Sequence, residues 1–288
     1  MVWELTDSLD EFERVAAPHL LADPVRHTVP LTVLTSLRKI GPSAFGDEPP
    51  VLGWHRREDG TVDGAVLQTP PYPLLLAGAP AGSLGSLLAL LAAARDLPAV
   101  VNLDAASEDA FLTAWSTSAG GSGSPMRRER LFRLEALVPP DPGPAGVARV
   151  ADQSDTELLV AWFDAFAREA GTVAARIDRA VADRLSHHGL TFWEFGGQPV
   201  AMAGLTRTVA GVVRVGPVYT PPAQRRRGYG GAVTAAVSQA ALTAGATEVV
   251  LFTDLANPTS NAIYQRLGYR PVEDRVVIEL TKVVTTGH

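Results

Sequence analysis

The sequence predicts a mixed α/β protein built from two domains of similar plan. Three features carry that expectation. Strand-like and helix-like segments alternate along most of the 288 residues. Their order in the first half recurs in the second, about 140 residues later. A proline-rich stretch, LVPPDPGPAG at 137–146, lies between the two series and can continue neither a helix nor a central strand.

In the first half, strands are expected at 51–57, 63–69 and 72–77, then a helix at 83–95. A strand at 98–103, a helix at 107–117 and a strand at 128–137 follow. SLLALLAAA at 86–94 is too short to span a bilayer and reads as a buried helix. SAGGSGSP at 118–125 has the composition of a flexible loop. In the second half, 155–170 and 174–187 read as amphipathic helices, followed by strands at 191–195, 199–207 and 212–220. A helix at 229–244, a strand at 247–253, a short helix at 258–266 and a strand at 274–281 complete the order. The expected division is a domain over 1–137, a linker over 138–146 and a domain over 147–288.

Composition limits the chemistry. There are no cysteines, which excludes disulfides, thiol nucleophiles and cysteine metal sites. The formal charge of −6 argues against broad attraction to nucleic acid. No apolar run reaches the length of a membrane span, and the start MVWELTDSLDEF is acidic rather than a basic leader, so a soluble, cytoplasmic protein is expected. The six histidines show no metal-ligand spacing, and His187 and His188 read as surface residues. No metal is expected.

One basic cluster stands out against that acidic background: PPAQRRRGYGGAV at 221–233. It lies between an expected strand and an expected helix. The first helical turn leaves backbone N–H groups without intrahelical partners, and the helix dipole adds positive charge there. Gly228, Gly230 and Gly231 remove side chains that would block an anion, and Arg225, Arg226 and Arg227 add cationic donors. Such a place suits a phosphate or a pyrophosphate. It lacks the Gly-Lys-Ser/Thr ending of a Walker A loop, and GYGGAV does not match the dinucleotide fingerprint.

A second segment, DLANPTSNAIYQRLGY at 254–269, is polar where a structural helix would be aliphatic. Asn257 suits an N-cap, Pro258 the first helical position and Gly268 the C-terminal stop. Asn257 and Tyr264 are seven residues apart, close to two turns, and Asn261 lies on much the same side.

RRRGYG fits the R/Q-x-x-G-x-G/A signature of the GCN5-related N-acetyltransferase (GNAT) superfamily, and residues 150–281 resemble that family. The resemblance implies a cofactor, acetyl-CoA, with its diphosphate on the amides from Arg226 to Gly231, Tyr229 included. It implies that the strand at 212–220 splays from the strand at 247–253, so that pantetheine pairs with Val218, Tyr219 and Thr220. It implies that Asn257, assisted by Asn261, contacts the cofactor, and that Tyr264 is the general acid at the thiol. The expected function is transfer of an acetyl group to a primary amine of a small molecule or peptide, by direct attack in a ternary complex.

The base is not evident, because the strand VVRVGPVYT is not acidic; Glu194, Asp254 and water all stay open. Trp162, Phe163, Phe166 and Trp193 would line an acceptor pocket or belong to the core. The corresponding first-half stretch, LLLAGAPAGSLGSLLALL, has no arginine, and SEDAFLTAWST has no Asn–Tyr pair. The first half is therefore expected to be a degenerate GNAT-like domain. A non-catalytic acyl-CoA-binding module remains the alternative function, and neither the acceptor nor the oligomeric state follows from the sequence.

Overall fold

The repeat seen in the sequence is repeated in space. In the computed structural model, which describes residues 1–94, 96–173 and 175–282, the first series runs β1 (Val2–Thr6), α1 (Leu9–Ala22), α2 (Thr28–Ile40), β2 (Val51–Arg56), β3 (Val62–Gln68), β4 (Leu74–Ala77), α3 (Leu84–Ala94), β5 (Val100–Asp104), α4 (Glu108–Ala119) and β6 (Ser122–Leu134). The second runs β7 (Val147–Val150), α5 (Thr156–Ala170), α6 (Ile177–Leu185), β8 (Leu190–Phe195), β9 (Gln198–Leu205), β10 (Val212–Tyr219), α7 (Tyr229–Thr243), β11 (Glu248–Asp254), α8 (Pro258–Arg266) and β12 (Tyr269–Thr281). Element for element the two orders are the same.

Contacts divide the chain into two compact units: residues 1–130 with 273–288, and residues 131–272. The division does not fall at the proline-rich segment expected to be a linker. The long strands β6 and β12 are each shared between the units, while 137–146 belongs wholly to the second. The backbone N–H of Val138 donates to the Leu267 carbonyl at 3.0 Å, and the Trp193 indole N–H to the Ala145 carbonyl at 3.2 Å, which ties that segment down at both ends.

The first unit is a mixed sheet in the order β1-β2-β3-β4-β5-β12-β6. Its pairings from β1 to β4 are antiparallel, β4·β5 is parallel and β5·β12 antiparallel. One face is buried under α3 and α4 through Leu84, Leu87, Leu88, Leu91, Phe111 and Trp115. The expected loop at 118–125 is in part strand, since β6 begins at Ser122. Its glycines serve close approach rather than freedom: a Cβ at Gly121 would collide with the Thr281 carbonyl, and one at Gly123 would lie 2.6 Å from Leu112.

The second unit has the order β12-β6-β11-β10-β9-β8-β7. Pairings from β7 to β10 are antiparallel and β10·β11 is parallel. Helix α7 covers one face with Val233 and Val237, joined there by Tyr229, Tyr264 and Tyr269. Helices α5 and α6 cover the other with Leu159, Phe163, Val181 and Leu185 against Phe192 and Tyr219. Met202 and Ala203, neighbours on β9, divide between those two cores as the period of two requires. His187 is not a free surface residue; its ring nitrogens meet the Asp183 and Leu205 carbonyls at 2.7 and 3.3 Å.

Candidate active site

Strands β10 and β11 pair only part of the way. Their parallel register runs from Val212↔Glu248 to Val215↔Leu251 and stops, although β10 continues to Tyr219 and β11 to Asp254. On its other side β10 stays paired with β9, through a bulge between Val215 and Val218. Gly216 sits in that bulge with φ +151°, a backbone few other residues adopt. The bulge turns the strand, and a wedge opens between β10 and β11 with an unpaired strand edge on its β10 side.

The basic loop follows directly. Pro222–Gln224 form a short 3-10 turn, Arg226 takes φ +63°, and Gly228 caps α7 in the left-handed region at φ +83°. No side chain caps the helix. Among the described residues, the amides from Arg226 to Gly231 have no backbone partner, and the first helical bond is Ala232 N–H to the Gly228 carbonyl at 3.1 Å. The Arg226 and Arg227 guanidiniums have no partner among the described residues and are exposed. Arg225 is engaged instead, with Nε donating to the Thr220 carbonyl at 2.9 Å and Nη2 to Glu169 Oε2 at 2.5 Å. Tyr229 contributes only its amide here, because its ring is buried in the α7-side core beside Phe195.

Helix α8 meets this loop where a Cβ on Gly231 would lie 3.4 Å from Ile263. Asn257 is the N-cap, its Oδ1 accepting from Ser260 N–H at 3.0 Å, which leaves its Nδ2 without a partner among the described residues. Asn261 spends both Nδ2 protons on the Asp254 and Asn257 carbonyls, at 2.8 and 2.7 Å. Two carbonyl partners fix the orientation of that amide. Its Oδ1 is then a buried acceptor without a donor. Tyr264 is 9% exposed, and its ring lies edge-on to Tyr269 at 6.1 Å. The Tyr264 hydroxyl has no hydrogen-bond partner among the described residues, and burial pushes it up to about 12, so it keeps its proton at neutral pH.

The carboxylates considered as bases separate clearly. Glu194 accepts from Arg149 Nε at 2.6 Å, and Arg149 also forms a bidentate pair with Asp155 at 2.8 and 2.9 Å. That network joins β7 to β8 and engages Glu194 through Oε1. Asp254 lies at the end of β11, in the wedge, with Oδ1 accepting from Ala256 N–H at 2.8 Å. The four aromatics do not gather in one pocket. Trp162 packs edge-on to Phe192 and Tyr219, with Phe163 and Phe166 in the same core, whereas Trp193 packs on the opposite face of the sheet. Glu169, which no sequence motif singles out, joins the site through Arg225.

Residues 153–269 match the model of the Acetyltransferase (GNAT) family. This segment, which lies within the second unit, is similar to that family. Among solved structures, the chain is similar to a GNAT-family acetyltransferase from Colwellia psychrerythraea, at 12% identity over 98% of this chain and 100% of that one, TM-score 0.62. It is similar to a GCN5-related N-acetyltransferase from Sphaerobacter thermophilus, at 17% identity over 97% and 95%, TM-score 0.62. A tandem GNAT protein from the clavulanic acid biosynthesis pathway aligns at 13% identity over 99% and 100%, TM-score 0.56. At these identities the likeness is one of fold, and it spans both units. No curated protein sequence matches the chain. Among the described residues no helix is long and apolar enough to cross a membrane, and no cluster of side chains could hold a metal ion.

The loop and wedge of the second unit have a geometry that fits an acyl-CoA. Among the described residues, the loop offers uncapped amides beside guanidiniums without a partner, the wedge offers an unpaired strand edge, and Asn261 Oδ1 is a buried acceptor without a donor.

Proposed function

We propose that the second unit is an acetyl-CoA-dependent N-acetyltransferase that acts on a primary amine in a ternary complex. The observation that carries this reading is the wedge between β10 and β11, opening beside the uncapped amides of the Arg226–Gly231 loop. In this reading those amides, with Arg226 and Arg227, hold the diphosphate. The β10 edge at Val218 and Tyr219 takes the pantetheine arm by strand addition. The Thr220 carbonyl is already occupied by Arg225, so Thr220 contributes less than its two neighbours. Asn257 Nδ2 and Asn261 Oδ1 supply a donor and an acceptor to the same arm.

Acetyl-CoA supplies the acyl group as an activated thioester. Tyr264 holds a proton and gives it to the leaving sulfur, its hydroxyl having no competing partner among the described residues. Asp254, which has no ion pair among the described residues whereas Glu194 is held by Arg149, takes the amine proton, directly or through water.

The first unit is, in this account, a GNAT-like domain that has lost its own cofactor site. The parallel pairing of β4 and β5 also stops early, after Leu75↔Asn102, but the opening is filled. Arg275, 8% exposed, donates Nε to Asn102 Oδ1 at 2.8 Å and Nη2 to the carbonyls of Leu76 and Asn102 at 3.1 and 3.2 Å. A chain that pairs with the β4 edge would have to displace a satisfied, buried guanidinium.

A non-catalytic acyl-CoA-binding module is the second reading, favoured by one observation: the sequestering of Glu194 by Arg149. A screen of primary amines with thiol release as readout decides between the two. Amine-dependent release supports the transferase; slow hydrolysis with no amine accepted supports the binding module.

A further inference from the structure

The α5 side of the wedge already holds a cation. The Arg225 guanidinium lies 6.0 Å from the centre of the Tyr219 ring, donates Nε to the Thr220 carbonyl and donates Nη2 to the Glu169 carboxylate. An aromatic face, a carbonyl and a carboxylate together are what a protonated amine or a guanidinium seeks. The walls are fixed independently of the occupant. Trp162 packs edge-on to the Tyr219 ring at 5.8 Å, and the Tyr219 hydroxyl lies 3.5 Å from Glu169 Oε1. Glu169 is about half exposed at the end of α5, so the carboxylate is reachable from solvent.

The occupant is the first arginine of RRRGYG. Arg225 therefore has two competing partners, Glu169 and any polyanion seated on the loop amides. If it turns to the anion, a carboxylate beside an aromatic face is left without its counter-charge, within reach of the unpaired β10 edge.

We propose that Glu169, Tyr219 and the Thr220 carbonyl form a cation cage for the positively charged group of an alkylammonium acceptor, held shut by Arg225 until coenzyme A draws that arginine onto its diphosphate. The proposal rests on the cofactor reading above and deepens it by naming the acceptor's charge class. Cofactor and acceptor are then coupled, and the coupling is reciprocal. Glu169 is a specificity-determining residue, and Arg225 is the gate.

Calorimetry on the full chain with coenzyme A and spermidine as probes tests this. Spermidine should bind about five-fold or more tighter when coenzyme A is saturating than when it is absent. Glu169→Gln should abolish that difference and also tighten coenzyme A by about two- to five-fold, the size of an exposed ion pair released from competition. Arg225→Ala should open the cage, so that spermidine binds equally well with and without coenzyme A. Coenzyme A binding with no coupling to spermidine, or coupling that survives Glu169→Gln, overturns the cage alone. Failure of coenzyme A to bind the unmodified chain sinks the cofactor reading and the cage with it.

Discussion

Arg275 and Asn102 are joined twice, by Nε to the side-chain Oδ1 at 2.8 Å and by Nη2 to the backbone carbonyl at 3.2 Å. The pair sits where the β4·β5 ladder ends, the place that in the second unit is the open wedge. One residue therefore separates two similar scaffolds into one with an accessible strand edge and one without.

The chain should accordingly bind a single acetyl-CoA. Titration calorimetry should return one site per chain, and two equivalent sites would contradict the closure of the first unit.

Gly228 supports the loop by taking φ +83°, where a Cβ is strained whatever the surrounding space. Gly228→Ala should cost about 1–2 kcal/mol of stability in denaturant titration. Arg226→Ala leaves the backbone alone and removes a charge-assisted contact, so it should weaken coenzyme A by roughly 1.5–3 kcal/mol. Normal cofactor affinity in Arg226→Ala would remove that arginine from the site.

Tyr264→Phe deletes a hydroxyl with no partner among the described residues and keeps the ring against Tyr269. Stability and acetyl-CoA affinity should hardly change, while kcat falls on the order of 10²-fold. Thioesters of more acidic thiols should be less affected. An unchanged kcat would return Tyr264 to the core; loss of the fold would show that the hydroxyl is structural.

The Arg149 network should matter for stability and not for catalysis. Glu194→Gln should leave kcat unchanged, and a large loss would restore Glu194 as a base. The Arg149 guanidinium hydrogen-bonded to Asp155 holds that carboxyl below its ordinary 3.8. A depressed carboxyl stabilises the fold above its unfolded value and loses that effect as the pH falls through the lower folded one. Arg149→Met should therefore cost about 1 kcal/mol near neutrality, discounted because the pair is partly exposed. The difference from the parent protein should shrink below about pH 4 in urea titrations.

What could be read beforehand was what is local. The loop at 225–231 and the helix at 258–266 carry their chemistry in adjacent residues, and both form where their glycine, proline and asparagine signals put them. The opening residues were harder, because α1 and α2 contain Pro18 and Pro30, which blur a helical pattern, although Ser8 does cap α1. β12 begins at Tyr269, ahead of the expected 274, because Pro271 disguises the start of a strand. Glu169 and Arg275 were invisible for a different reason. Glu169 gains its meaning from Arg225, 56 residues away, and Arg275 from Asn102, 173 residues away, partners that only the folded chain brings together.

On the proposed function, the second unit alone receives the acyl-CoA, on the loop before α7 and the wedge between β10 and β11. Amide hydrogen exchange with and without acetyl-CoA reads this site without needing an acceptor. New protection should appear across Arg226–Gly231 and along Gly216–Tyr219, with none at residues 78–85 at the start of α3. Protection confined to 78–85, or absent from both loops at saturating acetyl-CoA, would contradict it.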